Sequence, residues 1–256
     1  MNLFSNNKIL GIIGGGQLGK MLLNDTFKWN IKTYVLDPDK DAPAKQFCNK
    51  FFCGDLNDFD TIYQFGKKVD LITFEIEHIN TEALIKLEEE GVIIYPKPNT
   101  LNIIQDKFKQ KKFYLDNNIP TSDFIFFDKK KEIYSALETK KIKLPFVWKS
   151  TKFGYDGYGV KIINKKADIE LIENKPCIIE ELIDHKKELS IIICRNLDGD
   201  YKLFPTVEME FNKISNQLET VIFPAEINDK INSEVREVAL KVADSFLSAL
   251  NEIGKS

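Results

Sequence analysis

The strongest constraint on the fold lies between Ile9 and Tyr95, where short runs of branched aliphatic residues alternate with amphipathic stretches. That rhythm belongs to a parallel sheet whose crossovers are helices. Ile9–Ile13, Ile31–Leu36, Val69–Phe74 and Val92–Tyr95 read as four buried strands, with helices over Gln17–Trp29, Thr61–Lys67 and Thr81–Glu90. The series predicts a small doubly wound domain that closes near Pro96 and Pro98.

Beyond the prolines the rhythm changes. Leu101, Ile104, Phe108, Lys112 and Leu115 fall on one face of a single helix that stops at Asn117-Asn118, ahead of Pro120. Short strands at Phe124–Phe127, Pro145–Lys149, Gly159–Ile163 and Cys177–Glu181 surround helices near Lys130–Thr139 and Ala167–Glu173, which predicts a compact α+β unit. The extended runs Glu188–Cys194, Lys202–Val207 and Glu219–Phe223 then predict an antiparallel sheet. A helix from Ser233 follows, with Val235, Val238, Ala239, Val242 and Phe246 on one face and Gly254 as its stop. A sheet with one covering helix and no return strand reads as an incomplete domain, expected to expose apolar surface that a partner or second copy covers. The expected division is 1–98, 99–183 and 184–256.

Composition narrows the function classes. Lys and Arg number 36 against 39 Asp and Glu, a formal charge of -3, and only Arg195 and Arg236 are arginines. That balance argues against a nucleic-acid partner. Two histidines, His78 and His185, cannot build a histidine-rich zinc site and leave few ways to a Ser-His-Asp triad. Cys48, Cys53, Cys177 and Cys194 show no CxxC spacing, so reduced thiols are expected rather than a disulfide framework. No cationic start precedes an apolar run, and no apolar stretch approaches the ~20 residues of a membrane span. The expectation is a soluble cytoplasmic protein without a membrane partner.

Two constellations carry candidate chemistry. Gly14, Gly16 and Gly19 form G-x-G-x-x-G between a strand and a helix, and Asp37 closes the second strand about where a ribose-binding carboxylate would sit. An NAD-dependent oxidoreductase is one reading; a tight turn that lets a helix pack closely is the plainer one. The same turn offers free backbone N–H groups to any phosphate or anionic substrate. Downstream, Lys149 ends an apolar strand and the glycine-rich segment Lys152–Gly159 follows. It reads either as a loop whose backbone approaches phosphate oxygens or as an ordinary hairpin connection. Glu180 and Glu181 close a further strand and Glu188 opens the next. Alternation turns one of the paired glutamates to a cleft, with the backbone between them open to a flat base, unless the pair is only a solvated strand end. Glu75 and Asp156 are candidates for a catalytic carboxylate pair. Lys107, His78 and the aromatic run Phe124–Phe127 have plain readings as a solvated lysine, a structural histidine and core.

Taken in order, the segments GGGQLGKM (Gly14–Met21), FEIEH (Phe74–His78), IQDKFKQK (Ile104–Lys111) with Ile119-Pro120, GYDGYG (Gly154–Gly159), IIEELI (Ile178–Ile183), Glu188 with Ser190, PTVE (Pro205–Glu208) and Pro224-Ala225 carry a resemblance. The chain resembles the ATP-grasp ligases, and among them the carboxyaminoimidazole ribonucleotide synthases. The resemblance implies an α/β ATP-grasp fold: an N-terminal doubly wound, Rossmann-like parallel-sheet domain, a small α+β lid and an incomplete antiparallel C-terminal domain. It implies ATP-dependent carboxylation of aminoimidazole ribonucleotide by bicarbonate through carboxyphosphate, with Mg2+ on the phosphates, in a homodimer.

Carried over by position, Lys107 and Lys149 correspond to phosphate contacts, and Gly154, Tyr155, Asp156, Gly157, Tyr158 and Gly159 to the loop closing over them. Glu180, Glu181, Leu182 and Ile183 correspond to the adenine hinge and Glu188 to the ribose carboxylate. Gln17, Leu18, Glu75, Tyr155 and Asp156 correspond to the aminoimidazole ribonucleotide side. Tyr158 stands where the family usually carries a lysine or arginine. The family's acidic magnesium ligands follow the helix matching Ser233–Glu252, so no metal ligand is assigned to this chain, and Asn251-Glu252 lies on that preceding helix. A non-catalytic or split remnant of such a ligase is the alternative expectation.

Overall fold

The computed structural model describes residues 8–152, 154, 159–196, 198–212 and 217–253, with side chains described as far as residue 246. The chain divides into two compact units, 1–105 and 106–256.

In the first unit the elements run β1 (Ile9–Ile13), α1 (Gln17–Lys28), β2 (Lys32–Asp37), β3 (Lys50–Cys53), α2 (Phe59–Gly66), β4 (Leu71–Phe74), α3 (Thr81–Glu89), β5 (Ile93–Ile94) and α4 (Pro98–Ile104). All the strand pairs are parallel, in the order β3-β2-β1-β4-β5. Ile13, Ile72, Leu84 and Leu87 are fully buried with Ile62 of α2, while Ile12 and Val35 pack with Leu23 of α1. Burial on both faces explains why β1 reads as a continuous apolar run rather than an alternating one. Asp58 and Asn80 start α2 and α3 by accepting the N–H groups of Thr61 and Ala83. The strand order reverses between β1 and β4. Their C-terminal ends are therefore the switch point where a crevice opens in a sheet of this kind, and they bring Gly14 and Glu75 together.

The sequence reading placed four strands here; the structure has five. The missed strand is β3, Lys-Phe-Phe-Cys, an edge strand with its two Phe half-buried and its ends exposed. It offers neither a β-branched run nor alternation, so nothing in its local pattern separates it from a loop.

The second unit opens with α5 (Lys107–Asp116), β6 (Phe124–Phe127), α6 (Lys130–Glu138), β7 (Phe146–Ser150), β8 (Val160–Ile163), a 3-10 turn at Lys166–Leu171 and β9 (Cys177–Glu181). The four strands form an antiparallel sheet, β6-β9-β7-β8. One face buries Phe146, Trp148, Ile163 and Ile179 against Ile133 of α6 and Ile169 of the 3-10 turn. There follow β10 (Glu188–Ser190), β11 (Ile193–Arg195), β12 (Tyr201–Leu203), β13 (Val207–Phe211), β14 (Leu218–Ile222) and α7 (Asp229–Ile253). They form a three-stranded sheet, β10-β13-β14, and a separate β11-β12 pair. Phe246 of α7 stacks on Phe113 of α5 with ring centroids 4.4 Å apart.

Three expectations are corrected in this unit. The single helix through Leu101 and Leu115 is two helices, α4 and α5, because the Asp106 carboxylate accepts the N–H groups of Phe108 and Lys109 and so begins a new helix. The run Glu188–Cys194 divides between two sheets, and Lys202–Val207 breaks at Pro205, which cannot donate to a ladder. The helix expected near Ala167–Glu173 is the 3-10 turn. Ile192, Phe204, Leu218, Val221 and Phe223 stand exposed around these strands. Among the described residues no helix is long and apolar enough to cross a membrane. The four cysteines are unpaired, and burial pushes the Cys177 thiol up to about 11.

Candidate functional site

The glycine turn of the first unit is shaped by its own backbone. Gly14 leaves β1 at a φ of 99°, and its N–H donates to Leu36 O at 2.9 Å. A Cβ on Gly19 would lie 2.5 Å from Gly14 O, so the last glycine of the motif is what lets α1 approach the turn.

Two backbone donors of the turn leading into α1, which the sequence reading left open to an anion, are engaged by carboxylates. Gly15 N–H donates to Asp37 Oδ2 at 2.6 Å, and Gly16 N–H to Glu75 Oε1 at 3.3 Å. The other Asp37 oxygen accepts Asp39 N–H at 2.8 Å. The carboxylate that a dinucleotide reading assigns to ribose is therefore engaged by the backbone. A pyrophosphate at this helix end would meet two carboxylates, which repel it. Gln17 and Leu18, on the first turn of α1, are exposed beside this pair. His78 is half-buried after β4.

Burial raises the Glu75 carboxyl above the ordinary glutamate range, and the charge of Asp37 adds to the rise, against the lowering effect of Gly16 N–H. A raised carboxyl favours the folded state fully below the ordinary glutamate pKa, and that contribution is lost as pH rises through the raised value. Glu75→Gln is therefore expected to melt higher than the parent near pH ~8 and to match it near pH ~4. Melting curves across that range check this; a constant difference would contradict it.

In the second unit a cluster forms where α5, β7 and β9 converge. Lys107, the first residue of α5, donates its backbone N–H to Thr151 O at 2.8 Å and its ammonium to Gly154 O at 3.3 Å. It thus borders the glycine-rich loop rather than standing solvated. Glu180, on the central strand β9, is buried with its side chain only 7% exposed. Its Oε2 accepts Lys149 Nζ of β7 at 2.9 Å and Ser122 Oγ at 3.0 Å. Lys111, one helical turn after Lys107, sits 3.4 Å from Glu180 Oε1 and donates to Thr121 Oγ1 and Ser122 Oγ at 2.7 and 2.6 Å. Burial pushes the Glu180 carboxyl up, but Lys149, Lys111 and Ser122 together hold it below the usual range. Burial lowers the Lys111 ammonium, only partly opposed by Glu180.

Glu181 points outward and is exposed. Its N–H donates to Asp123 O at 3.3 Å, so the backbone expected to be open to a flat base is already engaged there. Leu182 and Ile183 lie exposed beyond it. Glu188 Oε1 is 3.1 Å from His185 Nε2. A cleft of about 760 Å³ opens beside Glu180, lined by Ser122, Phe124, Ile179, Glu181 and Leu182 among others. The loop between β7 and β8 joins an antiparallel pair, with Gly159 at a φ of 75° and space for a Cβ blocked by Ser150 Oγ at 2.4 Å. Tyr155, Asp156, Gly157 and Tyr158, with Phe153, lie outside the described residues. In the PTVE segment Glu208 is buried and accepts Lys187 Nζ at 2.6 Å.

The structure thus joins Lys149 to Glu180, Lys107 to Gly154, and Glu75 to the start of α1. Sequence reasoning missed Lys111 and Ser122. The spacing of four residues from Lys107 placed Lys111 on the same helical face and was the available signal.

A doubly wound unit followed by an antiparallel sheet in which half-buried lysines face a buried glutamate is the arrangement of the ATP-grasp class. The chain belongs to the ATP-grasp family: an ATP-grasp domain model matches residues 112–249, preceded by a ribonucleotide synthetase preATP-grasp domain over 7–105. Phosphoribosylaminoimidazole carboxylase of Ogataea methanolica is 31% identical over 95% of this chain, which spans 46% of that protein. N5-carboxyaminoimidazole synthetase of Staphylococcus aureus complexed with ADP superposes with a TM-score of 0.85 at 32% identity, covering 96% of this chain and 65% of that one. N5-carboxyaminoimidazole synthase of Aspergillus clavatus, in complex with ADP and 5-aminoimidazole ribonucleotide, gives 0.83 at 29% identity, covering 94% of this chain and 63% of that one. This chain therefore spans less than two thirds of the length of each.

Proposed function

We propose that the chain belongs to an ATP-dependent carbon–nitrogen ligase of purine biosynthesis that carboxylates 5-aminoimidazole ribonucleotide with bicarbonate. The observation that supports this most is the pair of matched domains in one order, ribonucleotide-synthetase then ATP-grasp, over nearly the whole chain. In this reading a bicarbonate oxygen attacks the γ-phosphorus of ATP, releasing ADP and forming carboxyphosphate. The ribonucleotide amine then attacks the carboxyl carbon, losing a proton, and inorganic phosphate leaves. Such chemistry depends on positioning and charge stabilisation more than on covalent help from the protein.

Lys107, Lys149 and the loop Gly154–Gly159 hold the phosphates, Glu180 to Ile183 the adenine, and Glu188 the ribose. Gln17, Leu18, Glu75, Tyr155 and Asp156 hold the aminoimidazole ribonucleotide. Magnesium comes with the triphosphate; among the described residues no three His, Cys, Asp or Glu side chains are grouped to hold a metal. The proposal retains the three-part division 1–98, 99–183 and 184–256, a cytoplasmic location, a homodimer, and no nucleic-acid or membrane partner.

Thermal shift with ATP and magnesium against NADH separates this reading from a dinucleotide oxidoreductase. Selective stabilisation by ATP is expected, and a response to NADH with none to ATP would overturn it.

A further inference from the structure

We propose that Lys111 is a positioning residue for nucleotide binding, taking up the charge of the buried Glu180 so that the Lys149 ammonium is left for a polyphosphate. The inference rests on the nucleotide reading of Lys149 given above. Three observations carry it. Glu180 lies between the two ammonium groups, one against each carboxylate oxygen, at 3.4 Å from Lys111 and 2.9 Å from Lys149. The Lys111 side chain is 13% exposed and that of Lys149 29%, so Lys149 is the ammonium a ligand reaches. Thr121 and Ser122 hold Lys111 in place by hydrogen bonds.

With one carboxylate and two ammonium groups the trio carries a net positive charge, which a triphosphate meets in a partly buried setting where charge acts strongly. Asp123 also acts on Lys111, favouring its charged form. Without Lys111, Glu180 has Lys149 as its one cation within the trio, and the net charge falls to zero. Glu180 Oε1 has no hydrogen-bond partner among the described residues, so the influence of Lys111 on that oxygen is that of a nearby charge. Charge, rather than shape, is therefore the property to vary.

The test is titration calorimetry of the full chain with ATP and with adenosine, for the parent, Lys111→Met, Lys111→Gln and Lys111→Met combined with Glu180→Gln. Lys111→Met is expected to weaken ATP binding about tenfold or more, and adenosine binding less than about twofold, because only ATP brings the phosphate charge. Adding Glu180→Gln removes the carboxylate that occupies Lys149, so ATP affinity is expected to rise again above that of Lys111→Met. A residue that only ties α5 to β9 would weaken both ligands equally, with no recovery in the double variant. Either that pattern or unchanged ATP affinity overturns the proposal. Lys111→Gln removes the charge but keeps a hydrogen-bonding end, and it must show the same ATP-selective loss if the methionine variant does not fold. Failure of the parent chain to bind ATP at all would overturn the nucleotide reading itself, whereas ATP binding indifferent to Lys111 overturns this proposal alone.

Discussion

Gly19→Ala is expected to destabilise the first unit by about 3 kcal/mol, at the upper end of what overpacking a well-filled site costs. The added methyl would sit 2.5 Å from Gly14 O, and that oxygen is backbone. The carbonyl cannot swing away as the tip of a side chain would: Gly14 is held at a φ of 99° with its N–H bonded to Leu36 O. Relief requires α1 to move off the turn, which disturbs the contact of Leu23 with Ile12 and Val35. Gly91→Ala is the control. Gly91 also has a positive φ, 91°, but nothing stands within 4 Å of its missing Cβ, so only backbone strain of about 1 kcal/mol is expected. Urea denaturation of the three proteins measures the difference. Equal costs for the two glycines would contradict the close-approach account of the motif.

Lys149→Ala is expected to weaken ATP binding roughly 30-fold, about 2 kcal/mol, the scale of a charged hydrogen bond. Glu180 retains Ser122 and the nearby Lys111 in this variant, so the melting temperature should move little while affinity falls. The combination matters more than either value. Calorimetric titration with ATP, beside a melting curve, gives both. Affinity within about twofold of the parent would remove Lys149 from the phosphate site.

The parts of the fold that could be read from sequence are short, continuous runs of bulky apolar residues. Ile9–Ile13 and Phe124–Phe127 match the observed strands residue for residue, although only Phe127 of the second run is buried and Phe126 is exposed, so the reading of that run as core does not hold throughout. β3 and the break between α4 and α5 were not legible. β3 exists because β2 offers it an open edge, and the break because one carboxylate at Asp106 outbids a continuous helical pattern. At the candidate site, glycine spacing announced the turn but not its occupants. That Asp37 and Glu75 take up the Gly15 and Gly16 N–H groups ahead of α1 depends on strand order, which places β2 and β4 on either side of β1. The Lys149–Glu180 pair likewise arises from register, since Val147 lies opposite Glu180 in the β7–β9 ladder and Lys149 stands two residues along on the same face.

Phosphate release by the pure chain, with ATP, magnesium and bicarbonate, tests the central claim most directly when aminoimidazole ribonucleotide is added or withheld. The account predicts release that requires bicarbonate, rises when the ribonucleotide is added, and disappears in Lys149→Ala. Release indifferent to both bicarbonate and ribonucleotide, or no binding of ATP at all, would contradict it.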